Sequence, residues 1–472
     1  MLSRASAEPV NLPLHAWEPD NRVFWEREGG AIARRNLLLS IPALTLAFAV
    51  WSLWSVVVVY LPQIGFAFST DQLFRLASLP ALCGAALRVV YSFMVPLVGG
   101  RRWTVFSTVL LIVPAAGLGM AVQDTSTSYG TFVVLALLCG LGGGNFASSM
   151  SNISFFFPST QKGLALGLNA GLGNLGVSLV QFVVPLVIFS SVFGVLGGEP
   201  QAWLRSGDIL GETRSIWLQN AGFIWVPLIL AATIAAALGM DDLGTAKASL
   251  SEQTVILRRR DTWYLCWLYL GTFGSFIGFA AGLPLLLDSQ FAQVDALHYA
   301  WLGPLVAALA RPVGGWLADL FGGARVTLWT FIVMAGAVGG ALEFLPDAGS
   351  EGSYHGFLGM FLVLFLASGI GNGSTLAMIP AVFQRNTRSD AGRTDRGSPR
   401  NPGAEGAAAV GLASAVGAFG GFFIPKSYGT SIALTGSPGL ALCTFIVFYL
   451  SCIAITWWRY ARPMTARAHE RY

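Results

Sequence analysis

Apolar residues run in long unbroken stretches along this chain, and polar residues gather in the gaps between them. A bilayer-crossing helix needs about 20 mostly apolar residues. Twelve stretches qualify: 37–66, 72–98, 104–122, 130–157, 163–190, 215–238, 262–287, 298–321, 327–345, 356–384, 406–435 and 438–458. They are continuous rather than alternating, so they read as helices and not as the strands of a barrel. The polar remainder divides the chain into an N-terminal tail (1–36), a first six-span bundle (37–240), a linker (241–261), a second six-span bundle (262–460) and a C-terminal tail (461–472). The fold class expected is an all-α polytopic membrane protein with two six-helix bundles.

Composition narrows the classes of function. The chain is 54% hydrophobic and 11% charged, against roughly 45–50% and 25% in soluble domains. So few charges cannot clothe a water-facing surface, which excludes a soluble enzyme, a disordered chain and a nucleic-acid binder. The surrounding solvent is lipid. The Lys and Arg residues set the orientation. With the N-terminus inside, 22 of the 28 lie on the inner side and two, Arg205 and Arg214, on the outer side. Arg75, Arg88, Arg311 and Lys426 lie within or at the ends of spans. Both termini are therefore expected to be cytoplasmic, in the cell's inner membrane. The net charge of +4 reflects topology. The five cysteines fall within spans and are expected to be free buried thiols. The histidines fall in tails and loop ends, so neither a metal nor a cofactor is expected.

The two halves repeat. Gly99-Gly100-Arg101-Arg102-Trp103-Thr104 and Gly322-Gly323-Ala324-Arg325-Val326-Thr327 share the pattern G-G-x-R-x-T at an offset of 223. The same offset carries Arg88 onto Arg311. Gly140, Gly142 and Gly144 map onto Gly369, Gly371 and Gly373 at an offset of 229, and Gly167, Gly173 and Gly176 onto Gly411, Gly417 and Gly420 at 244. Two six-helix bundles related in this way describe the major facilitator architecture, whose substrate site lies near the midplane between the halves. Ala318-Asp319-Leu320-Phe321-Gly322-Gly323 resembles that superfamily's cytoplasmic loop motif, and Pro96 stands where the first half would carry the Asp.

Arg88 lies about 16 residues into its span and Arg311 about 13 into its own, which at ~1.5 Å per residue puts both near the bilayer centre. Intramembrane charge is costly and marks function by default. No Asp or Glu lies near the centre of any span. One reading has each arginine bonded to a neighbouring helix's carbonyls. The other makes the missing anion the substrate, since a guanidinium fork matches planar oxyanions in bidentate fashion. The lack of carboxylates argues against a cation substrate and against a proton relay. Asn169 and Asn174 carry amides into an apolar span and serve either the substrate or interhelical bonds. Phe146, Tyr269 and Phe273 are unremarkable on spacing alone.

The run from Asn145-Phe146-Ala147-Ser148-Ser149 to Phe155-Phe156-Phe157-Pro158, continuing through Gly167-Leu168-Asn169 to Gly173-Asn174-Leu175-Gly176, resembles the nitrate signature of the NarK nitrate/nitrite porter family. The matching second-half run extends from Gly411-Leu412-Ala413-Ser414 to Phe423-Ile424-Pro425, and Thr272-Phe273-Gly274-Ser275-Phe276-Ile277-Gly278-Phe279 and the stretch from Phe24-Trp25 to Arg35-Asn36 also resemble the family. The resemblance covers essentially the whole chain. It implies nitrate and nitrite as substrates, bound between Arg88 and Arg311 and sandwiched by Phe146 and Phe273. Tyr269 and Asn174 would hold the anion, with Asn169, Gly171 and Ser414 completing the expected binding set. Gly167, Gly173, Gly176, Gly411, Gly417 and Gly420 would let helices shift as the halves rock. The expected function is nitrate/nitrite exchange by alternating access, carried out by a monomer in the lipid bilayer without nucleic acid. Nitrate/proton symport and a passive anion channel are the alternatives. An embedded enzyme lacks support, since no span holds a His/Asp/Glu cluster and the G-x-x-x-x-G-K-S/T phosphate loop is absent.

Overall fold

The computed structural model describes residues 17–203, 214–243, 256–291, 297–346, 351–390 and 402–462. Its helices follow the apolar stretches. Eleven are long and apolar enough to cross a membrane: α1 (Arg22–Tyr60), α2 (Thr70–Tyr91), α3 (Gly100–Ala121), α4 (Tyr129–Phe156), α5 (Lys162–Val187), α6 (Asn220–Gly239), α7 (Arg260–Gln290), α9 (Gly323–Glu343), α10 (Tyr354–Arg385), α11 (Ala408–Thr435) and α12 (Gly439–Ala461). Between α7 and α9 runs α8 (Leu302–Phe321), 20 residues long, whose apolarity Arg311 and Asp319 dilute. The chain is an integral membrane protein with the twelve-helix arrangement. A two-stranded hairpin, β1 (Gln201–Trp203) against β2 (Arg214–Ile216), joins α5 to α6.

Local chemistry explains the helix ends. Ser69 and Gln72 form a reciprocal capping box at the start of α2, satisfying backbone donors that have no partner within the helix. The repeated G-G pair turns the chain at the two equivalent junctions. Gly99 (φ 101°) ends the stretch after α2, and Gly322 (φ 88°) ends α8; this backbone region is open essentially to glycine alone.

The repeat is also visible in packing. Gly140 and Gly143 of α4 lie against Cys83 and Gly84 of α2, and Gly369 and Gly373 of α10 lie against Ala307 and Gly315 of α8. Small residues allow these backbones to approach closely. The start of the polar segment 241–261 is tied down: Asp241 pairs with Arg35 at 2.7 Å, and Asp242 accepts the Arg101 backbone N–H at 2.8 Å. Most of that segment, most of the basic loop 385–405 and the outer parts of both tails lie outside the described residues. The cysteines are free, and Cys139, Cys266 and Cys452 are buried. Cys443 departs from expectation and is exposed on the outer face of α12, where an apolar environment suits a thiol as well as a core does.

Candidate functional site: two buried arginines and a cluster of aromatic rings

Arg88 on α2 and Arg311 on α8 are 1% and 5% exposed. They lie close enough for their charges to act on one another. The Arg88 Nε donates to the Gly143 carbonyl at 3.0 Å, and its Nη1 donates to the Ser414 carbonyl at 2.7 Å. The first partner is on α4 of the same half, and the second is on α11 of the other half. Gly143 has no side chain, so the guanidinium reaches the α4 backbone directly. The carbonyl reading of the sequence is thus realised in part for Arg88, although its Nη2 has no partner. Both Nη atoms of Arg311 are buried and unpartnered. No carboxylate pairs with either arginine among the described residues.

Aromatic faces surround Arg88. Its guanidinium carbon lies 4.6 Å from the Phe146 centroid, 4.9 Å from Phe273 and 5.2 Å from Trp51. A desolvated cation–π contact contributes about 2 kcal/mol, which offsets part of the cost of burying this charge. Phe146 and Phe273 come from opposite halves. Their rings are within 23° of parallel with centroids 6.3 Å apart. That spacing is ordinary for offset ring stacking, and a planar anion held between the two faces needs about 7 Å, twice a carbon contact distance, so the rings must part slightly to admit one.

Tyr269 and Phe273 sit on α7 where it passes through a π-turn, Leu270–Gly274. Such turns are frequent at functional sites. The two rings stack at 5.4 Å. Gly417 of α11 makes room for them: a Cβ there would come 2.8 Å from Tyr269 and 3.2 Å from Phe273. The fully buried Tyr269 hydroxyl faces the Arg311 guanidinium but makes no hydrogen bond of good geometry.

The remaining expected residues divide. Gly167, Gly171, Asn174, Ser178 and Gln181 recur at helical spacing and form one stripe on α5. At its far end, Ser178 donates to the Trp301 carbonyl (3.1 Å) and Gln181 to the Ala280 carbonyl (2.7 Å), both in the other half. The stripe therefore faces the seam. Asn174 lies midway along it, with a buried amide oxygen that has no partner. The amide of Asn169 instead donates to Ser149 at 2.8 Å and contacts Met150 on α4, inside the first half. Ser414 reaches the site through its carbonyl; its hydroxyl is turned back onto Gly411.

The glycines divide as well. Gly173 meets Leu44 and Gly176 the Thr45 carbonyl, so α5 lies close on α1. Gly417 and Gly420 likewise bring α11 against α7. Gly167 and Gly411 meet nothing within 4 Å. Two features were not foreseen. Trp51 had no signal in its spacing. Asn372, whose buried amide oxygen is unpartnered, occupies the position equivalent to Gly143 at the offset of 229.

A family model described as the Major Facilitator Superfamily matches residues 39–425. The "Nitrate/nitrite transporter NarU" of Salmonella typhimurium is 52% identical over 455 residues, 95% of this chain and 96% of that protein. The chain belongs to the NarK-type branch of the major facilitator superfamily. Within this branch, the "Probable nitrate/nitrite antiporter NarK2" of Thermus thermophilus is 38% identical over 94% of this chain and 96% of its own length. Among solved structures, a D-xylose-proton symporter superposes with a TM-score of 0.64 at 15% identity, covering 90% of this chain and 98% of that one; this likeness shows the major facilitator fold alone. These relatives are transporters and not enzymes.

Proposed function

We propose that the protein exchanges nitrate for nitrite across the inner membrane by alternating access, as a monomer with both termini in the cytoplasm. The observation that carries this reading is the set of buried guanidinium N–H groups on Arg88 and Arg311 that no protein acceptor satisfies. Leaving such ions uncompensated costs several kcal/mol, and a small planar oxyanion supplies both the charge and the acceptors. The names of the relatives point the same way: NarU is described as a nitrate/nitrite transporter and NarK2 as an antiporter.

In the proposed cycle the anion lies between the Phe146 and Phe273 rings. Arg311 grips it with its free fork, Arg88 adds its remaining Nη2, and Tyr269 donates its hydroxyl. Asn174 borders the path along the seam. Occupancy neutralises the two cations and lowers the cost of closing a dry site around them. An empty site keeps its charge and resists occlusion, so return with a second anion is favoured over return empty. The test uses proteoliposomes loaded with nitrite and given labelled external nitrate. Uptake is expected to require internal anion and to survive collapse of the proton gradient. Uptake that needs a proton gradient and no internal anion overturns the exchange reading in favour of symport.

Tyr269→Phe separates binding from folding. The hydroxyl is buried without a good partner, so its removal is expected to leave thermal stability unchanged or slightly raised. A hydrogen bond to a charged group is worth about 1.5–3 kcal/mol, which is roughly 10- to 100-fold in KM. Unchanged KM in this variant, measured by counterflow, removes Tyr269 from the binding set.

A further inference from the structure

On the side of the site away from the termini, the seam between the halves is closed by an ion pair. Asp71, in the first turn of α2, accepts from Lys426 of α11 at 2.7 Å through its Oδ1. Its Oδ2 lies 3.4 Å from Arg75, one turn further along the same helix. The contact is close because Gly429 lets α11 press on this end of α2: a Cβ there would meet Phe74 at 2.9 Å and Asp71 Oδ1 at 3.1 Å. Phe74 and Tyr428 pack beside the pair with their rings tilted by 57°, 6.0 Å apart. The three charged side chains are 26% (Asp71), 31% (Lys426) and 49% (Arg75) exposed. A pair with this exposure is weak, as suits a contact that must part in every cycle.

The carboxylate has two cationic partners, and they behave differently when the seam opens. Arg75 is on the same helix and travels with Asp71. Lys426 is on the opposite half and leaves. Opening therefore keeps Asp71 neutralised and exposes one unpaired ammonium in the mouth. We propose that Lys426 is a transient entry site for the small anionic substrate on the outer face, and that Asp71 reclaims it as the halves close, returning the anion to the path toward Arg88 and Arg311. Twelve residues of α11 separate Lys426 from Ser414, about 18 Å of helix. Lysine fits this task because its compact, well-hydrated point charge attracts an anion without the bidentate grip that would hold it. A single charge at the rim of a cleft acts mainly on encounter and loses its effect as salt rises.

This inference rests on the proposed anion exchange and on the proposed orientation, and the experiment separates the three. Purified protein is reconstituted with known sidedness, and nitrate exchange is measured from each face for wild type, Lys426→Gln, Lys426→Arg and Asp71→Asn. Both neutral variants break the ion pair, so a purely structural latch moves them alike. An entry site moves them apart. Lys426→Gln is expected to raise KM for external nitrate about tenfold at low ionic strength, with the difference shrinking in salt. Lys426→Arg restores it, and Asp71→Asn lowers external KM because Lys426 is no longer masked. Equal shifts of the same sign in Lys426→Gln and Asp71→Asn overturn the entry site and leave a latch. If Lys426→Gln does not reach the membrane, Asp71→Asn decides alone: an external KM at or above wild type is the overturning result. The same opposed pattern seen from the cytoplasmic face refutes the orientation and keeps the entry site. Absence of nitrate exchange in wild type refutes the exchange reading itself.

Discussion

Replacing Arg311 with Lys is expected to cut nitrate/nitrite exchange by two to four orders of magnitude. Both Nη atoms of Arg311 are buried and unpartnered, so its fork is free to meet an anion edge-on. A lysine keeps the positive charge but supplies a point rather than a planar pair of donors. Losing two charge-assisted hydrogen bonds at about 1.5–3 kcal/mol each removes about 3–6 kcal/mol, which is roughly 10²- to 10⁴-fold in affinity. Counterflow in proteoliposomes measures it directly, and wild-type exchange by Arg311→Lys would exclude this residue from the site. Arg88→Lys is expected to fail in a different way. Arg88 spans from the Gly143 carbonyl on α4 to the Ser414 carbonyl on α11, and one ammonium cannot bridge both. Its loss affects the joining of the halves as well as binding, so its maximal rate should fall further than its affinity.

The repeat explains how much of this could be read from the chain. A mid-span arginine with no carboxylate to pair it is visible in one dimension, because burial and charge are both carried by residue type. The pairing of Arg88 with Arg311 follows from a shared offset, and in the structure both are buried and close enough for their charges to act on one another. Contributions made by the backbone were illegible. Ser414 stands in the expected set and meets Arg88 through its carbonyl, as does Gly143, which residue type alone does not reveal. Neighbours across the seam were also hidden, since helical spacing fixes the face of one helix but not what lies opposite. Trp51 over Arg88 is one such neighbour. Asn169 shows both expected roles side by side: its Nδ2 donates to Ser149 within the first half, while its amide oxygen is buried without a partner. Even the count of spans carries the signature of function, because α8 is the least apolar of the twelve on account of Arg311 and Asp319.

The glycines give the second large effect, and they divide by what a side chain would strike. At Gly420 an added Cβ runs into the backbone of Gly274, in the interface between α7 and α11 within one half. Backbone cannot rotate away as a side chain can, so Gly420→Leu must push α11 off α7. Overpacking of this kind costs about 1–3 kcal/mol or more, and it also displaces the π-turn that carries Phe273. Gly420→Leu is expected to lower the melting temperature by several degrees and to lose transport with it. Gly411, nine residues earlier on α11, meets nothing within 4 Å, and its repeat equivalent Gly167 meets nothing either. Packing in this conformation gives no reason for glycine at these two places. Replacing a helical glycine removes backbone freedom from the unfolded chain and stabilises by about 0.5–1 kcal/mol. Gly411→Leu and Gly167→Leu are therefore expected to melt at or above the wild-type temperature and yet to exchange nitrate at least tenfold more slowly, because on α5 and α11 these positions line the seam that must close when the carrier turns over. Thermal melts and counterflow on the same preparations separate the two groups. Full exchange by Gly411→Leu would mean that the halves do not close upon one another at this end of α11, and the open space beside both glycines would then need another explanation.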